Sequence, residues 1–336
     1  MDRIANSLLD PAIVFFVLGG AIGFVRSNLE IPPALAKFFS LYLLVALGFK
    51  GGSELAEGGL PAEGALALVV ALSMAAAVPL YSFAILRAGR CDPLDAAAIA
   101  GTYGSVSAVT FIAAQQFLVQ DGTEFGGYMT VALVLMESPA IVMAVLLATF
   151  VRSRQHILPS VVQGASAGSV PSPLSIKKVL HEAFTDGNHL VLIGSLITGL
   201  ITGERGKEAM EPFTAGIFKG ILAFFLLELG LLVARQLLES QARLRPFLIG
   251  FALVMPVVNA SIALSVGWLL GLTRGDAFLV AVLAASASYI VVPAIVRYAI
   301  PEASPGIYFT MSLAVTFPFN VIVGIPLYFA ATDLAW

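Results

Sequence analysis

Two apolar stretches of membrane length are each broken at their centre by small polar residues, and this feature constrains the fold more than any other. In Asp276–Ala299, DAFLVAVLAASASYIVVPAIVRYA, the run opens at AASASY and Pro293 follows. In Asp95–Val119, DAAAIAGTYGSVSAVTFIAAQQFLV, it opens at GTYGSVS. A bilayer-crossing helix satisfies its own backbone, so a break is tolerated only where protein or a cavity takes up the freed N–H and C=O groups. Two discontinuous helices, one in each half of a chain, point to a secondary transporter with its site near the midplane.

Composition agrees with a membrane solvent. Apolar residues make up 59% and charged residues 12% of the 336, where a soluble domain carries about 25% charge. The net charge of -3, with no basic block, gives no reason to expect nucleic acid. One cysteine, Cys91, excludes an intramolecular disulfide. No nucleophile–base pair, metal cluster or nucleotide loop supports an enzyme. The opening MDRIANSLLDP lacks a charged n-region with a small-residue cleavage site, so the first apolar run is expected to stay in the protein.

Ten apolar segments are predicted: 11–25, 35–49, 61–86, 95–119, 127–151, 188–201, 213–232, 246–272, 276–299 and 305–331. The expected fold is an all-α polytopic membrane protein of ten transmembrane helices, the fourth and ninth broken. With the N-terminus outside, twelve of the 18 lysines and arginines fall on the cytoplasmic side and five on the exterior, Lys219 lying within a segment. That is the positive-inside bias, and ten crossings then leave both termini outside. Residues 152–187 form the longest loop, on the cytoplasmic side. Its SVVQGASAGSVPSPLSIKK reads as flexible linker, and SIKKVLHEAFTDG as a short amphipathic helix. His156, His181 and His189, in or beside this loop, have no metal-ligand spacing and read as satisfied or solvated.

An internal repeat organises the rest. AKFFSLYLLVALGFKGGSEL aligns with FKGILAFFLLELGLLVARQL at an offset of 182, pairing Gly48 with Gly230. At 181, Asp95 pairs with Asp276, Ser105 with Ser286 and Ser107 with Ser288. YMTVALVLMESPAIV aligns with YFTMSLAVTFPFNVI, where Pro139 meets Pro318 at an offset of 179. Five crossings in each half force the second copy into the membrane upside down, which predicts two inverted five-helix repeats, residues 1–151 and 188–336.

Inversion brings the second half-helices, starting near Ser107 and Ile290, toward each other from opposite sides. Their N-termini present free N–H groups and positive dipole ends to one cavity, which suits a small anion. Thr102, Ser105, Ser107, Ser286 and Ser288 add hydroxyl donors. The carbonyl ends left by Ala100, Gly101, Ala284 and Ala285 suit Na+. Glu137, about ten residues into a crossing and beside Pro139, is an intramembrane acid of the kind that serves ions or protons; its structural alternative is to bond backbone freed by the proline. Asn320 offers a neutral amide oxygen. The candidate ion set is therefore Gly101, Thr102, Glu137, Ala285 and Asn320. Glu228 is a second buried acid with no polar neighbour in the repeat, and Asn259 either approaches the cavity or bonds across helices.

The sequence resembles the sodium-dependent bicarbonate transporter superfamily over nearly its whole length. The likeness is most specific in LEIPPALAKFFSLYLLVALGFKGG, DAAAIAGTYGSVSAVTFIAA, LMESPAIV and AASASYIVVPAIVRYAIPEASPGIYFTMSLAVTFPFNVIVGIPLY. The resemblance implies Na+/bicarbonate symport in a bacterial cytoplasmic membrane, with Na+ as coupling ion and no cofactor. It implies an elevator mechanism, a core (about 61–151 and 246–331) sliding against a gate (about 11–49 and 188–237). It also implies a homotrimer and a cytosolic PII-like regulator. Carried over by position, the anion site falls on Gly104, Ser105, Val106 and Ser107 and on Ser286, Ala287, Ser288 and Tyr289. The chain departs from the family pattern where Ala287 and Tyr289 replace a serine and an acid, where Ala108–Val109 replace glycine–serine, and where Val292–Pro293 replace a proline pair. Glu137 replaces an aspartate. These changes narrow or alter the site, so other functions stay open beside bicarbonate uptake: Na+- or H+-coupled transport of another small anion, proton or cation exchange through Glu137, and a sensor or scaffold that does not transport.

The charge bias is open to a direct check. Cysteines introduced as Ser166→Cys and Ala335→Cys, probed with an impermeant thiol reagent in intact cells, are expected to label only at position 335. Labelling at 166 alone reverses the orientation.

Overall fold

The computed structural model describes residues 10–154, 181, 185–239 and 244–336. The linker reading of the 152–187 loop, its amphipathic helix and His156 lie, apart from the loop's ends, outside the described residues. Among the described residues the main helices are α1 (Pro11–Phe24), α2 (Pro33–Gly58), α3 (Ala62–Ala88), α4 (Pro93–Gly104), α5 (Ala108–Asp121), α6 (Met129–Arg154), α7 (Gly187–Glu211), α8 (Phe218–Glu239), α9 (Pro246–Leu269), α10 (Arg274–Ala285), α11 (Val291–Ala299) and α12 (Pro305–Thr332). No strand occurs among the described residues. Among the described residues, seven spans are long and apolar enough to cross a membrane, taking α4 and α5 together, and α1 is a shorter apolar helix. The chain is a multi-pass membrane protein.

Local sequence sets the helix starts. Asp10, Asp92, Asp186 and Thr273 accept first-turn N–H bonds through their side chains, and Pro11, Pro33, Pro93, Pro246 and Pro305 open helices where no backbone donor is needed. Gly203, at φ +55°, kinks α7 just past its apolar part, which is why the sixth predicted segment is short. In α12 the regular ladder widens to π geometry over Thr310–Thr316 and Asn320–Gly324, flanking Pro318, and returns to α geometry from Ile325.

Two helix crossings rest on backbone-to-backbone contact. Helix α2 packs along α7 and α1 along α8. The small residues Gly48 and Gly52 face Ser195 and Gly199; Gly19 and Gly23 face Gly230 and Ala234. A Cβ on Gly52 would strike the Leu196 carbonyl, and one on Gly199 the Phe49 carbonyl. On the other pair, Gly19 meets the Leu227 carbonyl and Gly230 that of Phe16. Lipid chains are as apolar as leucine, so helices in a bilayer gain by close contact of this kind rather than by burial from water.

The remaining helices enclose the breaks. Helix α3 packs on α4 and α6, and α9 on α10 and α12. The α4–α5 span is 94% buried within the protein, against 39–61% for the other six candidate spans, and every residue of α10 from Gly275 onward is buried. Interrupted backbone thus lies where protein, not lipid, surrounds it. Two aspartates tie these interior helices down. Asp276 accepts the Gly126 N–H (2.9 Å), the Tyr128 hydroxyl (2.5 Å) and the Thr273 hydroxyl (2.7 Å). Asp95 accepts the Ser304 N–H at 2.7 Å. Each joins the start of a broken helix to the segment leading into α6 or α12.

The crossings make a clear contrast within one helix. Gly199→Val pushes a side chain into the α2 backbone, whereas a Cβ at Gly194 meets nothing within 4 Å. Gly199→Val is expected to cost about 1–3 kcal/mol or more and to lower the unfolding midpoint in detergent. Gly194→Val should leave that midpoint nearly unchanged; equal midpoints for the two variants would contradict the contact.

Candidate functional site

The breaks run over residues 105–107, between α4 and α5, and 286–290, between α10 and α11. They are stitched together by two reciprocal hydrogen bonds. Ser107 N–H donates to Ser286 Oγ at 2.9 Å, and Ser288 N–H donates to the Thr102 carbonyl at 2.9 Å. Ser107 is also the N-cap of α5, its hydroxyl accepting from the Thr110 amide (3.2 Å) and hydroxyl (2.9 Å). The Ser288 hydroxyl accepts the Val292 N–H of α11 at 3.3 Å. Both second half-helices therefore begin beside the crossing.

The carbonyl end of α10 is closed differently. Asn259 donates its amide to the Ala284 carbonyl (3.0 Å), and Asn320 donates to the Ala285 carbonyl (2.9 Å). The amide oxygens are held in turn, Asn259 by the Tyr81 hydroxyl (2.6 Å) and Asn320 by the Tyr328 hydroxyl (2.8 Å). Buried polar groups without such partners cost about 1–3 kcal/mol each. Of the two roles left open for it, Asn259 thus takes the bond across helices, and it is not among the residues lining the cavity beside the breaks.

A cavity of about 50 Å³ lies where the breaks meet helices α2, α6, α7 and α8. Its wall includes Val106, Ser107, Ala108 and Val109 from the first break and Ser288, Tyr289, Ile290 and Val291 from the second. One acid lines it, Glu137 of α6, and no lysine or arginine does. Glu137 Oε2 lies 2.5 Å from Nδ1 of His189, in the first turn of α7; the side chains are 16% and 3% exposed. Tyr289 also borders a second, more open cavity of about 350 Å³ that carries Arg297. The Tyr289 ring stands edge-on to Phe317, and its hydroxyl lies beside Ser107 without closing a hydrogen bond of ordinary geometry.

The cavity thus combines the starts of two half-helices with one carboxylate and no basic side chain, groups whose chemistry could hold a small anion and a cation. A family comparison bears on which: the model of the Na+-dependent bicarbonate transporter superfamily matches residues 11–333. The chain belongs to that superfamily. No individual curated protein is a significant match. Membership in this transporter superfamily makes Na+ and bicarbonate the ligands against which the site is to be judged.

Of the residues expected to take bicarbonate in this superfamily member, Val106, Ser107, Ser288 and Tyr289 line the cavity together. The others stand behind it. Gly104 packs against the Pro79 ring, Ser286 holds Ser107, Ala287 is buried, and the Ser105 hydroxyl is buried without a partner. Of the ion set, Glu137 lines the cavity, while Gly101 packs against Ala144, Thr102 bonds the Ala98 carbonyl through its hydroxyl, and Ala285 and Asn320 bond each other. The sequence reading missed the part His189 plays. The histidine is satisfied, as expected, but its partner is the candidate acid. A signal existed in its position at the start of an apolar segment, where a buried histidine needs a polar partner.

Loss of a serine hydroxyl is expected to be graded. Ser107→Ala and Ser288→Ala should each weaken anion binding roughly two- to tenfold, the worth of one hydrogen bond of about 0.5–1.5 kcal/mol. Calorimetric titration of folded variants measures this; unchanged affinity in both places the anion elsewhere.

Proposed function

We propose that this protein is a Na+-coupled bicarbonate symporter of the cytoplasmic membrane, working by elevator-type alternating access. The observation that carries the reading is the meeting of both helix breaks and Glu137 on one small cavity. The anion is held by the Ala108, Val109 and Val291 amides at the openings of α5 and α11, with Ser107 and Ser288 hydroxyls tuning the geometry. Na+ is the second cargo, drawn to Glu137, the one acid on the wall. At ~10–15 Å³ per water on the same measure, a cavity of about 50 Å³ has room for a species of a few heavy atoms.

Helix pairing supports inverted repeats and their division into two bodies. Contact of α1 with α8 is matched by contact of α2 with α7, and contact of α3 with α4 and α6 by contact of α9 with α10 and α12. Exchanging the halves of the chain turns each set into the other. The close-packed α1, α2, α7 and α8 then form the gate, and the helices around the breaks form the moving core. The positive-inside bias supports both termini outside. A bacterial inner membrane, a homotrimer and a PII-like cytosolic regulator belong to the proposal on family membership alone.

Tyr289 favours a second reading, coupled transport of a different small anion. It occupies a position where the family pattern has an acid, and its ring borders the cavity. Proteoliposomes decide between them. Labelled bicarbonate should accumulate with an inward Na+ gradient and not with a K+ gradient. Na+-dependent uptake of another small anion, with bicarbonate inert, would support the second reading; no Na+-driven flux of either would overturn both.

A further inference from the structure

Under this reading Glu137 and His189 belong to different bodies, Glu137 to the core through α6 and His189 to the gate through α7. They nevertheless share a hydrogen bond of 2.5 Å on the wall of the cavity. His189 is held in place, since Asp186 accepts its backbone N–H at 3.2 Å in the first turn of α7. A neutral imidazole with its proton on Nδ1 makes this bond, so the contact needs no charged ring. An oxygen that accepts this proton offers less charge to a metal ion, and a cation on the same oxygen repels the donor. We propose that His189 competes with Na+ for Glu137, so that the unloaded core is latched to the gate and ion binding frees it. The inference rests on the symport reading and adds what holds the empty carrier. A ligand whose binding-competent state is only partly populated shows an affinity lowered by that fraction, so removing the donor should tighten Na+ binding.

The test uses the purified full-length protein in detergent, with Na+ replaced by choline at constant ionic strength and the thermal unfolding midpoint as readout, because ion binding to the native state raises it. His189→Leu should lower the half-saturating Na+ concentration roughly three- to tenfold, the worth of one competing hydrogen bond. His189→Gln, which keeps a donor, should fall between that variant and the wild type. Glu137→Gln should lose the Na+ response. Unchanged or weaker Na+ affinity in the folded His189 variants overturns the competition and leaves the symport reading standing. If His189→Leu does not fold, His189→Gln decides alone, and an unchanged half-saturation overturns the latch. A wild type with no Na+ response overturns both.

Discussion

Backbone polar groups freed inside a membrane protein must find partners, and the rest of this structure follows from how they do so. Opening two helices near the middle of the protein exposes N–H and C=O groups that no water-filled surface can serve. The breaks answer each other: Ser107 N–H to Ser286 Oγ, and Ser288 N–H to the Thr102 carbonyl. Asn259 and Asn320 take two carbonyls at the end of α10. With these two carbonyls taken up, the breaks bring the starts of α5 and α11 to the cavity wall, beside Glu137 and His189. The same bonds tie α4, α5, α10 and α11 together, so one break cannot shift without the other.

Positions aligned by the internal repeat have taken different work. Glu137 on α6 lines the cavity and meets His189. Its counterpart on α12, Thr316, bonds the Tyr103 hydroxyl (2.6 Å) and the Ala252 carbonyl (2.8 Å). Glu137 thus stands on the cavity wall, while Thr316 braces the helices around the break. The aspartates Asp95 and Asp276 have kept one task, tethering the start of a broken helix to the segment before α12 or α6. Close glycine packing on α1, α2, α7 and α8 gives the opposing wall of the cavity a rigid support that does not depend on side-chain fit.

Much of this was legible in the sequence, because local physics leaves local marks. Mean hydropathy of +0.94 and recurrent apolar runs required a membrane. The clusters GTYGSVS and AASASY marked the breaks, since small and hydroxyl residues are what an opened helix uses, and the helices restart at Ala108 and Val291, close to the residues read as their starts. The depth of Glu137 beside Pro139 marked an acid expected to face the interior of the protein, and it lines the cavity there. Other features needed the fold. Small residues at Gly19, Gly23, Ser195 and Gly199 give no sign of which helix they face. Nothing in the segments around Asn259 and Asn320 distinguishes an ion ligand from a clamp on a carbonyl. Glu137 and His189 are 52 positions apart and belong to separate segments. Hydropathy, capping and breaks depend on neighbours along the chain and are determined by the sequence alone. Which donor meets which acceptor depends on how distant helices pack, and only the tertiary structure decided that.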